Sequence, residues 1–255
     1  MDISVLLEEV ILFKGGNIKG KVKEWKKITS DCFILDMVTE GLQLEFVDDI
    51  VPKKISFSTE ERLIIESEVN TLLSKEIICK PTKEQINDFI SSLFTRPKKD
   101  GSRRMILNLK KLNRNIIYKH FKMRSLSTAF ECMRQGCLMG SVDLKDAFFT
   151  IPMYEPHQKF LKFYFEGELY QFKCMPKGFG PSMRIFTKVL KPVFSRLREL
   201  GFISAVYVDD YLLVGDSFEE CYSNILASVQ LLHNVGYTIH AKKSILVPTH
   251  EDILL

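Results

Sequence analysis

Residues 203–216 read ISAVYVDDYLLVGD, two apolar runs around a pair of adjacent acids. Ile203–Val208 and Tyr211–Val214 have the β-branched and aromatic content of strands, so the stretch is expected to be a hairpin turning at Asp209-Asp210. Two-residue hairpin loops favour Asn-Gly, Asp-Gly or Gly-X, because one or both central residues take positive φ. Asp-Asp suits that geometry poorly. It also sets two carboxylates side by side, where they repel and raise one another's pKa unless a cation intervenes.

A third acid has the same setting. Asp143 follows the apolar run CLMGSV as Asp209 follows ISAVYV. An ionised carboxylate beside buried strands is costly unless it is paired or holds a metal. If both strands lie centrally in one sheet, Asp143 and Asp209 meet across it. Hard oxygen donors that leave room for water and phosphate suit Mg²⁺. Two such ions roughly 3.5–4 Å apart serve an in-line phosphoryl displacement. Spacing alone is equally compatible with an exposed polar turn at Asp209-Asp210 and a helix N-cap at Asp143. Lys145 and Asp146 would then form a local ion pair without a chemical role.

The remaining chain supplies a charge asymmetry. Net charge is +4, yet Arg96 to Arg124 hold eleven Lys/Arg against Asp100 alone, which leaves about −6 for the rest by subtraction. A basic run this dense within a structured pattern suits a polyanion, although such runs are often solvated faces. Six cysteines without a Cys-x-x-Cys predict reduced thiols and an intracellular protein, cytoplasmic or nuclear. The start, MDISVLLEEVILFK, has acids within its apolar stretch and is not a secretory leader, and no uncharged apolar run is long enough to span a membrane.

Periodicity organises the chain as an α+β layer of antiparallel strands backed by helices. Residues 1–55 carry Gly-rich turns and the single tryptophan, Trp25, and read as an extension that docks on a main body beginning at residue 56. A helix is expected from Ser58 or Thr59, burying Leu63, Ile64, Val69, Leu72 and Leu73. Ser91–Arg96 and Arg103–Leu109 form a hairpin through KKDG, SLSTAFECMR a short helix, and GCLMGSVDLKDAFFTIPM a buried strand running into a turn. KFLKFYFEGELYQFKCMP is a hairpin turning at Glu166-Gly167. PSMRIFTKVLKPVFSRLRELG is a helix kinked at Pro192 and capped by Gly201, and a further helix runs from Ser217 to Gly236.

Five of these blocks together resemble one family, the reverse transcriptases. VYVDDYLLVG resembles the aromatic-x-Asp-Asp hairpin, SVDLKDAFFTIPM the first catalytic strand, and FTRPKKDGSRRMILNLKKLN the fingers hairpin. CMPKGFGPSMRIFTKVLKPV is similar to the template- and nucleotide-facing loop and helix, and LLHNVGYTIHAKKS to the lysine-bearing segment that follows. They occur in the family's order over roughly Ser56 to Val247, and the match leans toward long-terminal-repeat and DIRS-like retrotransposons. The resemblance implies a right-hand polymerase fold, fingers and palm interleaved. It implies RNA-directed DNA synthesis with two Mg²⁺ ions, or Mn²⁺, on RNA or DNA template, primer and deoxynucleoside triphosphates, and it suggests RNase H, recombinase or integrase as protein partners.

Carried over residue by residue, Asp143 and Asp209 would hold both ions with Asp210 assisting. Lys98 or Lys99, with Arg104, would neutralise the triphosphate. Phe148, five residues after Asp143, would exclude a ribose 2′-hydroxyl, and Lys242 or Lys243 would protonate the leaving pyrophosphate. Gly178 would admit the template strand, while Lys177 and Met183 depart from residues frequent in that loop. Phe148 is equally readable as core, and the lysines as solvated or as guards of a strand edge. In the family a primer-gripping hairpin, a thumb and an RNase H domain follow the lysine segment. The chain ends at THEDILL, so weak or no processive synthesis is expected of it. A non-catalytic nucleic-acid-binding remnant is the competing reading.

Overall fold

A four-stranded antiparallel sheet occupies the centre of the computed structural model, which describes residues 13–46, 59–81, 89–97, 103–121, 135–207 and 210–250. Its strands are β4 (Leu138–Asp143), β7 (Ile203–Tyr207), β8 (Asp210–Gly215) and β9 (Ile245–Thr249), in the order β7-β8-β4-β9. β4 and β8 are central and nearly apolar, as strands covered on both faces must be. Helices α5 (Ser182–Glu199) and α6 (Phe218–Asn234) carry much of the covering, α5 with Ile185, Phe186, Val189, Val193 and Leu197 at helical spacing. Pro192 sits inside α5 without ending it. Ser217 caps α6 by accepting from Glu220 N–H at 3.2 Å. Buried Asn224 on α6 donates to the carbonyls of Ile203 and Val214, which ties the helix to two strands at once.

Two smaller sheets flank this layer. β1 (Ile78–Cys79), β6 (Glu168–Phe172) and β5 (Lys162–Phe165) form one, and the expected turn holds: Glu166 and Gly167 take φ of 50° and 79°. β2 (Leu93–Pro97) and β3 (Arg103–Leu107) form the other; β2 starts two residues late and ends one later than its sequence suggests, and β3 starts as expected but ends two residues earlier. A short helix, α4 (Lys110–Arg114), follows β3. The expected helix at SLSTAFECMR lies outside the described residues. Helix α3 (Thr59–Ser74) forms, but its buried stripe is Ile65, Val69 and Leu72, while Leu63 stands 68% exposed. The buried face starts at Ile65 rather than Leu63, because three consecutive apolar residues, Leu63, Ile64 and Ile65, fit more than one helical phase.

The segment 13–46 packs into the same core through helices α1 (Val22–Lys26) and α2 (Cys32–Thr39). Trp25 is fully buried and donates its indole N–H to the Val235 carbonyl at 3.0 Å. Farther on, Leu42 bridges Met153, and Leu44 N–H donates to Nδ1 of His157 at 2.9 Å. That nitrogen must be unprotonated to accept. Burial, helped by Lys159, holds the His157 imidazole below its ordinary value of 6.5. Above that value both folded and unfolded chains carry neutral imidazole. As the pH falls below it, the unfolded chain takes up the proton and the folded chain resists, so stability falls. On acidification from about pH 7 to about pH 5, His157→Gln is expected to lose less stability than the native chain in urea titrations. Equal losses would remove His157 from the account.

Candidate active site

Asp143 is the last residue of β4, and its register partner on β8 is Asp210. Tyr207 on β7 pairs with Asp210 in turn, so three consecutive strands bring these positions to one end of the sheet. This corrects the expected hairpin: Asp210 is the first strand residue rather than half of the turn. Asp209 lies outside the described residues, as do Lys98 and Lys99, and for Asp210 and Arg104 only the backbone is described. The odd choice of Asp-Asp is thereby halved, since a strand end accepts Asp without any positive φ.

The other side of Asp143 is held by the segment after α6. Asp143 N–H donates to Ser244 Oγ at 3.0 Å, and its carbonyl accepts from His240 N–H at 2.8 Å. Ser244 also donates to the His240 carbonyl, closing a turn over His240–Ser244. That turn brings Lys243 Nζ to 3.9 Å from Asp143 Oδ2, although Lys243, like Lys242, is exposed. The Asp143 side chain is 19% exposed, shielded but open to solvent on one side. A hard carboxylate donor at such a mouth, with Asp210 beside it in register, fits a divalent ion of the magnesium class.

Directly after β4 the chain reverses. Asp146 takes a left-handed backbone, φ 51° and ψ 37°, and starts a 3₁₀ turn, Ala147–Thr150. Phe149 is buried, whereas Phe148 is half-buried with its ring 5.1 Å from that of Phe186 on α5. The Asp146 carboxylate pairs with Lys75 at 2.6 Å and not with its neighbour Lys145. No local pattern announces a partner 71 residues away.

The loop before α5 is pinned by one side chain. Asn113 donates from Nδ2 to the Gly178 carbonyl at 2.9 Å and accepts at Oδ1 from Gly180 N–H at 2.8 Å. Gly178 has φ +95°, and a Cβ there would sit 3.4 Å from the Leu107 carbonyl at the end of β3. Glycine is therefore favoured by the backbone, while the space would admit a Cβ at ordinary contact distance. Lys177 is exposed, with its ammonium 5.3 Å from the centre of the Phe149 ring. The structure thus gathers Asp143, Phe148, Lys243 and, in register, Asp210, with Lys177 over Phe149. It adds Lys75, Asn113 and Ser244, which sequence reasoning missed.

Residues 96–253 match the family model described as reverse transcriptase (RNA-dependent DNA polymerase). Among curated proteins the chain is similar to the enzymatic polyprotein of figwort mosaic virus (strain DxS), 22% identical over 192 residues, covering 75% of this chain and 28% of that protein. It is also similar to polyprotein P3 of Commelina yellow mottle virus, 27% identical over 59% of this chain and 8% of that one. The Pro-Pol polyprotein of simian foamy virus type 1 is 23% identical over 75% and 16%. The chain therefore spans little more than a quarter, or less, of these relatives. Among solved structures it resembles the foamy viral protease-reverse transcriptase in complex with dsDNA. That match has a TM-score of 0.71 and 20% identity, over 100% of this chain and 54% of that one. The complex of the same protein with RNA/DNA hybrid gives 0.65 and 19%, over 97% and 34%. These likenesses establish the α+β polymerase fold. Among the described residues no helix is long and apolar enough to cross a membrane.

Proposed function

We propose, for a chain that belongs to the reverse transcriptase (RNA-dependent DNA polymerase) family, that it adds deoxynucleotides to a primer 3′ end on an RNA or DNA template at the end of β4. The observation that carries this reading is the strand register that sets Asp143 opposite Asp210. Asp143 and Asp209, with Asp210, would hold two Mg²⁺ ions, Mn²⁺ being the alternative. When bound, the ions supply an activated 3′-hydroxyl and stabilise the leaving oxygen. Lys243, already beside Asp143, is better placed than Lys242 to hand a proton to pyrophosphate. Lys98 or Lys99 and Arg104 receive the triphosphate, Lys177 and Gly178 face template and nucleotide, and Phe148 excludes the 2′-hydroxyl.

Residues 56–255 then form the polymerase domain, fingers and palm interleaved, with residues 1–55 as its extension. The source we favour is a retrotransposon of the long-terminal-repeat or DIRS-like group, whose other proteins would be its partners. The test is single-nucleotide addition by the purified 255-residue chain on a primed RNA template. Addition of deoxynucleotide that requires Mg²⁺ and disfavours ribonucleotide is expected. Binding of primed template without any addition would overturn the polymerase reading and leave a nucleic-acid-binding protein.

A further inference from the structure

A closed ring of contacts surrounds the corner between Asp143 and Phe148. Lys75, just past α3, pairs through Nζ with Asp146 Oδ2 at 2.6 Å, and the two side chains are only 28% and 20% exposed. Asp146 closes the 3₁₀ turn by accepting at its carbonyl from Phe149 N–H at 2.9 Å. The Phe149 carbonyl accepts from Gly16 N–H at 2.8 Å, and the adjacent Gly15 N–H donates to the Lys75 carbonyl at 2.7 Å. The circuit thus runs Lys75, Asp146, Phe149, Gly16, Gly15 and back to Lys75.

Asp146 is the weak link of that ring. Its left-handed backbone is tolerated by Asp but favoured by none except Gly and Asn. Its side chain gives no help locally, since it caps nothing in the turn that it starts. Asp143 needs no such help, because the ladder to β8 and the bonds to Ser244 and His240 fix it independently. Phe148 is different. It hangs between Asp146 and Phe149, so its backbone follows the corner while its ring packs on Phe186 at 5.1 Å.

We infer that Lys75 is a positioning residue for nucleotide choice: by clamping Asp146 it holds Phe148 where a ribose 2′-hydroxyl would clash. The inference rests on the gate role proposed above for Phe148. It sets Lys75 apart from the residues that touch nucleotide, and it predicts a loss of selectivity without a matching loss of binding.

The measurement is equilibrium binding of a deoxy- and a ribonucleoside triphosphate, with Mg²⁺, to the chain on a template whose primer lacks a 3′-hydroxyl, so that chemistry is not required. Lys75→Met is expected to lower the deoxy-over-ribo preference about tenfold, the scale of a small misplacement beside a site. Lys75→Arg keeps the cation and should keep the preference, and Phe148→Val should lose it. Hydrogen exchange of amides 147–151 should rise in Lys75→Met while those of β4 stay protected. Asp146→Ala, which removes the pairing carboxylate and does not favour the left-handed backbone, gives the same readout if Lys75→Met does not fold. An unchanged preference in Lys75→Met beside a lowered one in Phe148→Val overturns the clamp alone. An unchanged preference in Phe148→Val overturns the gate, and the clamp with it.

Discussion

Asp143→Asn should reduce deoxynucleotide addition on a primed RNA template by about a thousandfold, the scale seen when one preorganised electrostatic group is removed from a transition state. The amide keeps the size of the carboxylate and its place at the end of β4. The backbone bonds to Ser244 and His240 do not involve the side chain, so they persist. What disappears is a charge that would draw divalent ions and that faces Lys243 at 3.9 Å. Because a long pair with one exposed partner contributes about 0–1 kcal/mol, thermal unfolding should shift little. Activity within tenfold of native would refute the placement of the metal site. A collapse of the melting temperature would instead mean that Asp143 is structural.

Trp25→Ala is the second large effect, and it falls on stability. Its ring is fully buried and its N–H is committed to Val235. Truncating a buried aromatic costs about 3–5 kcal/mol, and an orphaned carbonyl adds about 1–3 kcal/mol. Against a total of about 5–15 kcal/mol this is a large share. Urea unfolding followed by circular dichroism should show a much lower midpoint. A loss under about 1 kcal/mol would mean that segment 13–46 is a detachable appendage, despite sharing one apolar cluster with the central sheet.

Local chemistry made much of this protein readable in advance. Glu166-Gly167, the Ser217 cap and the apolar run ending in Asp143 each carry their signal within a few residues, and each is found where expected. Register was the harder quantity. Nothing in YVDD says whether one acid or both belong to the turn, because a shift by one residue satisfies the same apolar alternation. Leu63 is exposed against expectation for the analogous reason on a helix. Lys75 and Asn113 were invisible because their partners are set by tertiary packing, across separations of 71 and 65 or 67 residues. A lysine at the end of one helix looks the same whether it meets water or Asp146.

The bond between Trp25 and Val235 spans 210 residues, and this has a consequence for how the molecule is made. At about 5–20 residues per second, a ribosome takes about 10–40 s to deliver the second partner after the first. Throughout that interval Trp25, fully buried at the end, lacks the carbonyl that accepts its indole N–H. The helix that carries Trp25 therefore completes its docking late although it is born early. During synthesis the nascent chain presents an apolar surface for which a chaperone, or another nascent copy, can compete.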